Sequence, residues 1–283
     1  MQPWLETLGV TGLALAAIAL GITASRRKKP WWLIGYAVPL VLMLLVALAR
    51  NINALRFTPV FSTINTGRNE FIAMACSVPM VLSVLIGHLP KKRMKALMVI
   101  LIAVSSVQFV VYPFLVPAIL RNRLSRLTTV ITTDGVCIQS TDYTCGPAAA
   151  VTALACLNIE AEEGELAVLA RTAPQMGTPD DMLADAMERR YGDLGIRCQY
   201  QHFDSIERLK ATCPTIAVVK FSLLVDHYVT VLEVTDKEVI VADPLEGKQT
   251  LTHDQFKKKW RFIGITVKRE ENNSILPEPE PHE

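Results

Sequence analysis

No G-x-x-x-x-G-K-[ST] phosphate loop occurs in the 283 residues, which excludes ATP hydrolysis by that route. No C-x-x-C pair and no Cys and His spacing of a zinc site is present, and neither a metal nor a cofactor is expected. Acidic residues are scarce at one end only: positions 1–127 hold Glu6 and Glu70 against 14 Lys and Arg, a net of +12. The remaining 156 residues carry a net of −10, so the overall charge of +2 conceals two unlike halves. A basic surface beside apolar segments suits anionic lipid headgroups, whereas the acidic half reads as ordinary solubility. Nothing in either half suggests nucleic acid as a partner.

The basic half is where the long apolar runs lie. Trp4 to Thr23, Trp31 to Leu48, Phe71 to Leu89 and Ala96 to Leu120 are each of near-spanning length and bounded by charges or polar turns. They predict four transmembrane helices (4–23, 31–48, 71–89, 96–120) in a domain covering residues 1–127, which makes the chain a multi-pass protein of the cell membrane with the lipid bilayer as a partner. No basic residue precedes the first run, and its basic cluster Arg26, Arg27, Lys28 and Lys29 follows it, so the run does not read as a cleavable signal peptide. Loop charges set the orientation. Eight basic residues follow the first and third runs and six follow the second and fourth, which favours an extracytoplasmic soluble domain with both termini outside the cytoplasm. In the last run, Gln108, Pro113 and Pro117 mark either a kink or a polar cavity, and a kink tolerated within the bundle is the simpler reading. His88, at the end of a span, reads as interfacial.

Chemistry concentrates in the acidic half, at QSTDYTCGPAAA from Gln139 to Ala150. Gly135 and the polar run Ser140 to Thr144 break any preceding strand. Gly146, Pro147 and the alanine-rich stretch behind them predict a helix beginning at or just after Cys145. A thiol in the first turn faces unsatisfied amide groups and the positive end of the helix dipole, which favour the thiolate. Cys145 is a candidate nucleophile and the Gln139 amide a candidate oxyanion donor. The plainer alternative is a buried cysteine in a packed helix start.

Some eighty residues on, His227 opens the alternating strand HYVTVLEV, and a second strand, EVIVA, runs into Asp243 and Pro244. With Thr235, Asp236 and Lys237 as the loop, Val234 faces Glu238 and Asp243 faces Val229. Asp243 then sits diagonally beside His227 on one sheet face; a two-residue loop would separate them to opposite faces. In the first register Cys145, His227 and Asp243 supply a nucleophile, a base and the carboxylate that orients the base. Asp226, one residue from His227, points to the other face and orients poorly. His202 and His253 read as surface residues, the latter in a loop.

The blocks QSTDYTCGPAA, GTPDDMLADAMERRYG and HYVTVLEVTDKEVIVADP occur in an order that resembles the bacteriocin-processing cysteine peptidases, which are papain-like and cleave leader peptides after paired glycines. The resemblance covers roughly residues 130 to 265. It implies a nucleophile at Cys145, a general base at His227, an orienting partner at Asp243 and an oxyanion residue at Gln139. Many family members have an acidic residue before the nucleophile where this chain has Thr144. The best-known members are fused to an ABC transporter and hold this domain in the cytosol, an argument for the opposite orientation. Leader-peptide processing coupled to ATP-driven export would here need a separate transporter as partner.

The remaining pattern supports this domain at residues 128–268. Glu162 to Arg171 predicts a helix. Thr178 is expected to cap another, with Pro179 at its first position and Gly192 stopping it. TIAVVKF after Pro214 predicts a strand inside the sheet that carries His227. The fold expected is a four-helix transmembrane domain followed by an α+β papain-like cysteine peptidase domain, with the acidic, proline-rich residues 269–283 disordered. Cys137, Cys145, Cys156, Cys198 and Cys213 permit one nucleophile plus two disulfides, or five free thiols, with Cys156 expected as a small buried hydrophobe. The function expected is a membrane-anchored peptidase acting on a peptide or leader peptide near the bilayer. The alternatives are a non-catalytic peptide-binding or sensing module and a thiol-dependent amidase for a non-peptide amide.

Overall fold

The structure, a computed structural model, describes residues 3–52, 58, 61, 68–174, 176–222 and 225–270. Among these residues, four helices are long and apolar enough to cross a membrane. They are α1 (Pro3–Ser25), α2 (Trp31–Asn51), α3 (Asn69–Ile86) and a rod running from Lys92 to Leu124. The rod consists of α4 (Lys92–Ser106), a π-helical stretch Val107–Leu115 and α5 (Val116–Leu124), so it continues past the Leu120 expected from the sequence. The π stretch contains Pro113, which has no N–H to give to the helical ladder, and the wider turn is where the helix absorbs that loss. Gln108 lies on the exposed side of the same stretch. Leu8, Leu15, Val38 and Val99 are exposed, as lipid-facing side chains would be, whereas Val10, Ala14, Ala75, Val110 and Phe114 pack inside the bundle. Close helix approach depends on small residues: a Cβ on Gly21 would lie 2.7 Å from the Met80 carbonyl oxygen.

The second half is an α+β unit. A short pair, β1 (Val130–Ile131) and β2 (Cys137–Ile138), leads into α6 (Cys145–Ala155), α7 (Glu163–Leu169) and α8 (Asp180–Tyr191). Then come β3 (Ile196–His202), α9 (Ile206–Lys210), β4 (Thr215–Ser222), β5 (Val225–Val234), β6 (Glu238–Asp243), β7 (Gly247–Thr252), α10 (His253–Lys259) and β8 (Trp260–Arg269). Six strands form one antiparallel sheet in the order β3-β8-β4-β5-β6-β7, with β4 inside it and beside β5. Alternation divides β4 and β5 between two cores. Ile216, Val218 and Tyr228 pack toward the alanine-rich α6 and toward α8, while Val219, Val229 and Val231 pack with Phe203, Phe256 and Trp260.

Four expectations are corrected. Thr178 does not cap α8: Pro179 takes the N-cap position, and the buried Thr178 hydroxyl is committed to Thr172 Oγ1 at 2.8 Å. Cys156 falls at the C-cap of α6, where the helix has run out, and is exposed. His253 is the first residue of α10, a helix closed by a Thr252/Gln255 capping box, with its ring 3.0 Å from the Thr235 carbonyl. All six cysteines are free thiols. Of residues 269–283, expected to be disordered, Arg269 instead ends β8, and residues 271–283 lie outside the described residues.

The two halves meet at α7. At its start, a Cβ on Gly164 would lie 2.4 Å from the Leu124 carbonyl oxygen, so only glycine lets α7 press against the end of the rod. Beyond its end, Arg171, in the left-handed region at φ 55°, donates to Glu6 of α1 at 2.6 Å. The same carboxylate pairs with Arg68, which is 8% exposed. Arg68 also donates to the Pro113 carbonyl at 2.8 Å and stacks on Phe114. One carboxylate thus joins the first helix, the π stretch and the α+β unit.

Candidate active site

Cys145 begins α6, and the chain reaches it through a turn closed by Thr141 and Thr144, whose hydroxyl accepts the Thr141 N–H at 3.1 Å. The helix start is packed: Cys145 is 8% exposed, and a Cβ on Gly146 would come within 3.0 Å of Thr178. α6 is pinned to the sheet by Thr230, whose hydroxyl donates to the Ala149 carbonyl at 2.7 Å. That bond fixes the height of the helix above β5 and so brings its first residue toward His227.

His227 and Asp243 meet as the face argument requires, with the His227 Nε2 atom 2.8 Å from Asp243 Oδ1. The hairpin joining them differs from expectation. Thr235 N–H donates to the Glu238 carbonyl at 2.9 Å, making a two-residue turn, and Val234 faces Val239 rather than Glu238. A bulge between Val231 and Glu233 shifts the register by one, so that Val231 faces Val241 and Thr230 faces Ala242. The same register, continued one residue, sets Asp243 opposite Val229. The bulge therefore undoes what the tighter turn would have done to the pair.

Electrostatics make His227 the basic centre of the cleft. Burial opposes a charge on its imidazole, yet hydrogen bonds to Asp243 and Cys145 and the charges of both raise it from 6.5 to about 9. Asp243 responds in the opposite sense. Burial acts to raise its carboxyl, but the bond to His227 and the Leu245 N–H at 2.8 Å hold it below its ordinary value. With Nε2 occupied by Asp243, Nδ1 is the nitrogen left for the thiol. The Phe221 ring lies beside the imidazole, tilted by 45° with 5.6 Å between ring centroids. Other thiols of this half are held protonated: burial, with Glu163 nearby, pushes Cys137 up to about 12, and burial beside Glu188 does the same for Cys198.

Gln139 enters from the turn before the helix. Its backbone N–H donates to the Pro244 carbonyl at 3.0 Å, which ties it to the residue after Asp243. Its side-chain Nε2 donates to the Thr141 carbonyl at 2.7 Å, which fixes the amide orientation because a carbonyl can only accept. One N–H remains for another acceptor, while the buried Oε1 has no partner among the described residues. Asp226 turns away and accepts from Arg261 at 2.8 Å, and His202 lies near Asp204.

Two participants gave no signal in the sequence. Tyr228 donates to the Thr178 carbonyl at 2.8 Å and contacts the Asp180 carboxylate, and so joins the strand of His227 to the start of α8. Glu163, apparently one more acid on a helix, is fully buried against Ser140.

Residues 134–272 match the Peptidase C39 family. The chain belongs to that family. An uncharacterized protein of Methanothermobacter marburgensis is 33% identical over 134 residues, which are 47% of this chain and 88% of the relative. A second uncharacterized protein, from Methanothermobacter thermautotrophicus, is 26% identical over 143 residues, 50% of this chain and 94% of the relative. Among solved structures, a double glycine motif protease from an AMS/PCAT transporter in complex with the leader peptide is 20% identical, covers 51% of this chain and 96% of its own, and has a TM-score of 0.42. The peptidase domain of Streptococcus ComA, a bi-functional ABC transporter involved in a quorum-sensing pathway, is 19% identical, covers 48% and 99%, and has a TM-score of 0.43. In this chain the Peptidase C39 domain takes up the α+β half, which has a peptidase fold, and the four long helices precede it.

Proposed function

We propose that this chain is a membrane-anchored cysteine peptidase that cleaves a peptide or leader-peptide substrate near the bilayer, with Cys145 as nucleophile, His227 as base, Asp243 as its orienting partner and Gln139 as oxyanion donor. The observation that carries the reading is the buried His227, raised to about 9 between Cys145 and an ionised Asp243. Nδ1 of His227 is then the base that takes the Cys145 proton as the sulfur attacks.

The chemistry follows from these positions. The Cys145 sulfur attacks the scissile carbonyl carbon, and the carbonyl π electrons move to oxygen, where the free N–H of Gln139 Nε2 meets the developing charge. As the tetrahedral intermediate collapses, the C–N bond breaks and Nδ1 of His227 gives its proton to the departing amine. Water then attacks the thioester, losing a proton to Nδ1, and the carboxylic acid leaves as the Cys145 sulfur is regenerated. Asp243 keeps Nε2–H oriented throughout, and this leaves Nδ1 facing the sulfur. Anchoring by the four helices raises the local concentration of a membrane-associated peptide without any further contact.

The test is turnover of candidate membrane-proximal peptides by the full chain in lipid nanodiscs, followed by mass spectrometry. Cys145→Ala should abolish cleavage, and Gln139→Ala should slow it by roughly a hundredfold. Equal cleavage by the wild type and Cys145→Ala ends this reading.

A further inference from the structure

Glu163 opens α7 with a carboxylate that is 0% exposed. A buried carboxyl is costly unless its oxygens accept hydrogen bonds, and both of these are used. Oε1 accepts the Ser140 N–H at 2.9 Å, and Oε2 lies 2.5 Å from the Ser140 hydroxyl. That hydroxyl is also 3.2 Å from the Thr128 carbonyl, and the Glu163 N–H donates to the Thr129 hydroxyl at 2.9 Å. Thr128 and Thr129 belong to the segment by which the chain leaves the last long helix, so that segment and the turn before the nucleophile share one set of bonds.

Ser140 directly follows Gln139. The Gln139 N–H is held by Pro244 on one side, and the next residue is held by Glu163 on the other. These two restraints leave the Gln139 backbone little freedom, and its amide must meet a developing oxyanion within a few tenths of an ångström to be useful. We infer that Glu163 is a positioning residue, which fixes the Gln139 amide through Ser140 and so makes oxyanion stabilisation depend on the junction with the membrane-spanning rod. This rests on the peptidase reading above.

Two probes separate oxyanion stabilisation from thiol reactivity. 4-Nitrophenyl acetate acylates the Cys145 sulfur through a tetrahedral oxyanion, the S–C bond forming as 4-nitrophenolate leaves with the electron pair. Iodoacetamide alkylates the same sulfur by direct displacement of iodide, and no oxyanion forms. Both rates are read at Cys145 by peptide mass spectrometry on the full chain in nanodiscs. This excludes the exposed Cys156 from the signal. Glu163→Ala is expected to lower acylation about tenfold or more while leaving alkylation within about twofold, and Glu163→Gln, which keeps an acceptor, to lose less. Combined with Gln139→Ala it should add no further loss, as two residues acting through one group do. Where Glu163→Ala does not fold, Ser140→Ala carries the test, with the same selective loss of acylation expected.

Equal losses in both rates, no loss in either, or multiplicative losses in the double variant would overturn the assignment. Gln139→Ala acylating as fast as the wild type would instead sink the peptidase reading's oxyanion donor. A slow Gln139→Ala beside a normal Glu163→Ala sinks only Glu163.

Discussion

The charge on one imidazole decides how the cleft behaves with pH. His227 is raised from 6.5 to about 9, so its charged form contributes stability that is fully present below about 6.5 and is lost as the pH rises through about 9. Asp243, held below the ordinary carboxylate range, contributes above that range, and its share disappears as the pH falls through the lowered value. Asp243→Asn removes the carboxylate's own share and its part of the shift on His227, leaving the part that Cys145 supplies. The melting temperature of the wild type should exceed that of the variant by more at pH 6 than at pH 10, as read by scanning fluorimetry in detergent. A pH-independent difference would show that the pair contributes packing rather than charge. Reactivity gives a second residue-level prediction. Cys145 should alkylate rapidly at pH 6, and His227→Ala should slow it about tenfold or more, because the base that draws on the thiol proton is gone. Slow labelling at Cys145 indifferent to His227 would make it an ordinary thiol.

Elements place these groups, and the sequence disclosed some elements better than others. The start of α6 at Cys145 was legible because Gly-Pro followed by alanines admits few alternatives. The face shared by His227 and Asp243 was legible from the period of two, although its turn was not: the loop is one residue tighter, and a bulge that no residue type announces restores the register. Strands β3, β7 and β8 were not read from the sequence: on β3 Arg197, Gln199 and Gln201 alternate with Ile196, Cys198 and Tyr200 but no strong apolar run marks the strand, and on the other edge, β7, Leu251 is the one large apolar residue. The partners of Glu163 were invisible for a different reason, since Ser140 lies 23 residues away and contact is a property of the folded chain alone. Gly164 carries the prediction at this scale. Gly164→Ala puts a methyl where the Leu124 carbonyl already lies, and α7 must move off the rod at a cost of about 1–3 kcal/mol, measured as a loss of thermal stability in the full chain. An unchanged melting temperature would mean that the junction is slack.

On the scale of the molecule, Arg171→Glu sets a carboxylate against Glu6 and should destabilise the joined state by about 1–3 kcal/mol, between the worth of exposed and buried pairs. The expected sign is faster limited proteolysis at residues 125–136 in nanodiscs, restored by Glu6→Gln in the same chain; proteolysis unaffected by Arg171→Glu would mean that this contact does not hold the halves together. α7 is fastened to the rod at Gly164 and, through Arg171, to α1, so two separate contacts hold the α+β unit against the helices. In a bilayer the Cys145 sulfur would then stand at a constant height, and the molecule would act as a caliper. On the proposed peptidase reading, a peptide anchored in the same bilayer would be cut at a set count of residues from its own membrane boundary, and lengthening that stretch by three residues would move the cut by three.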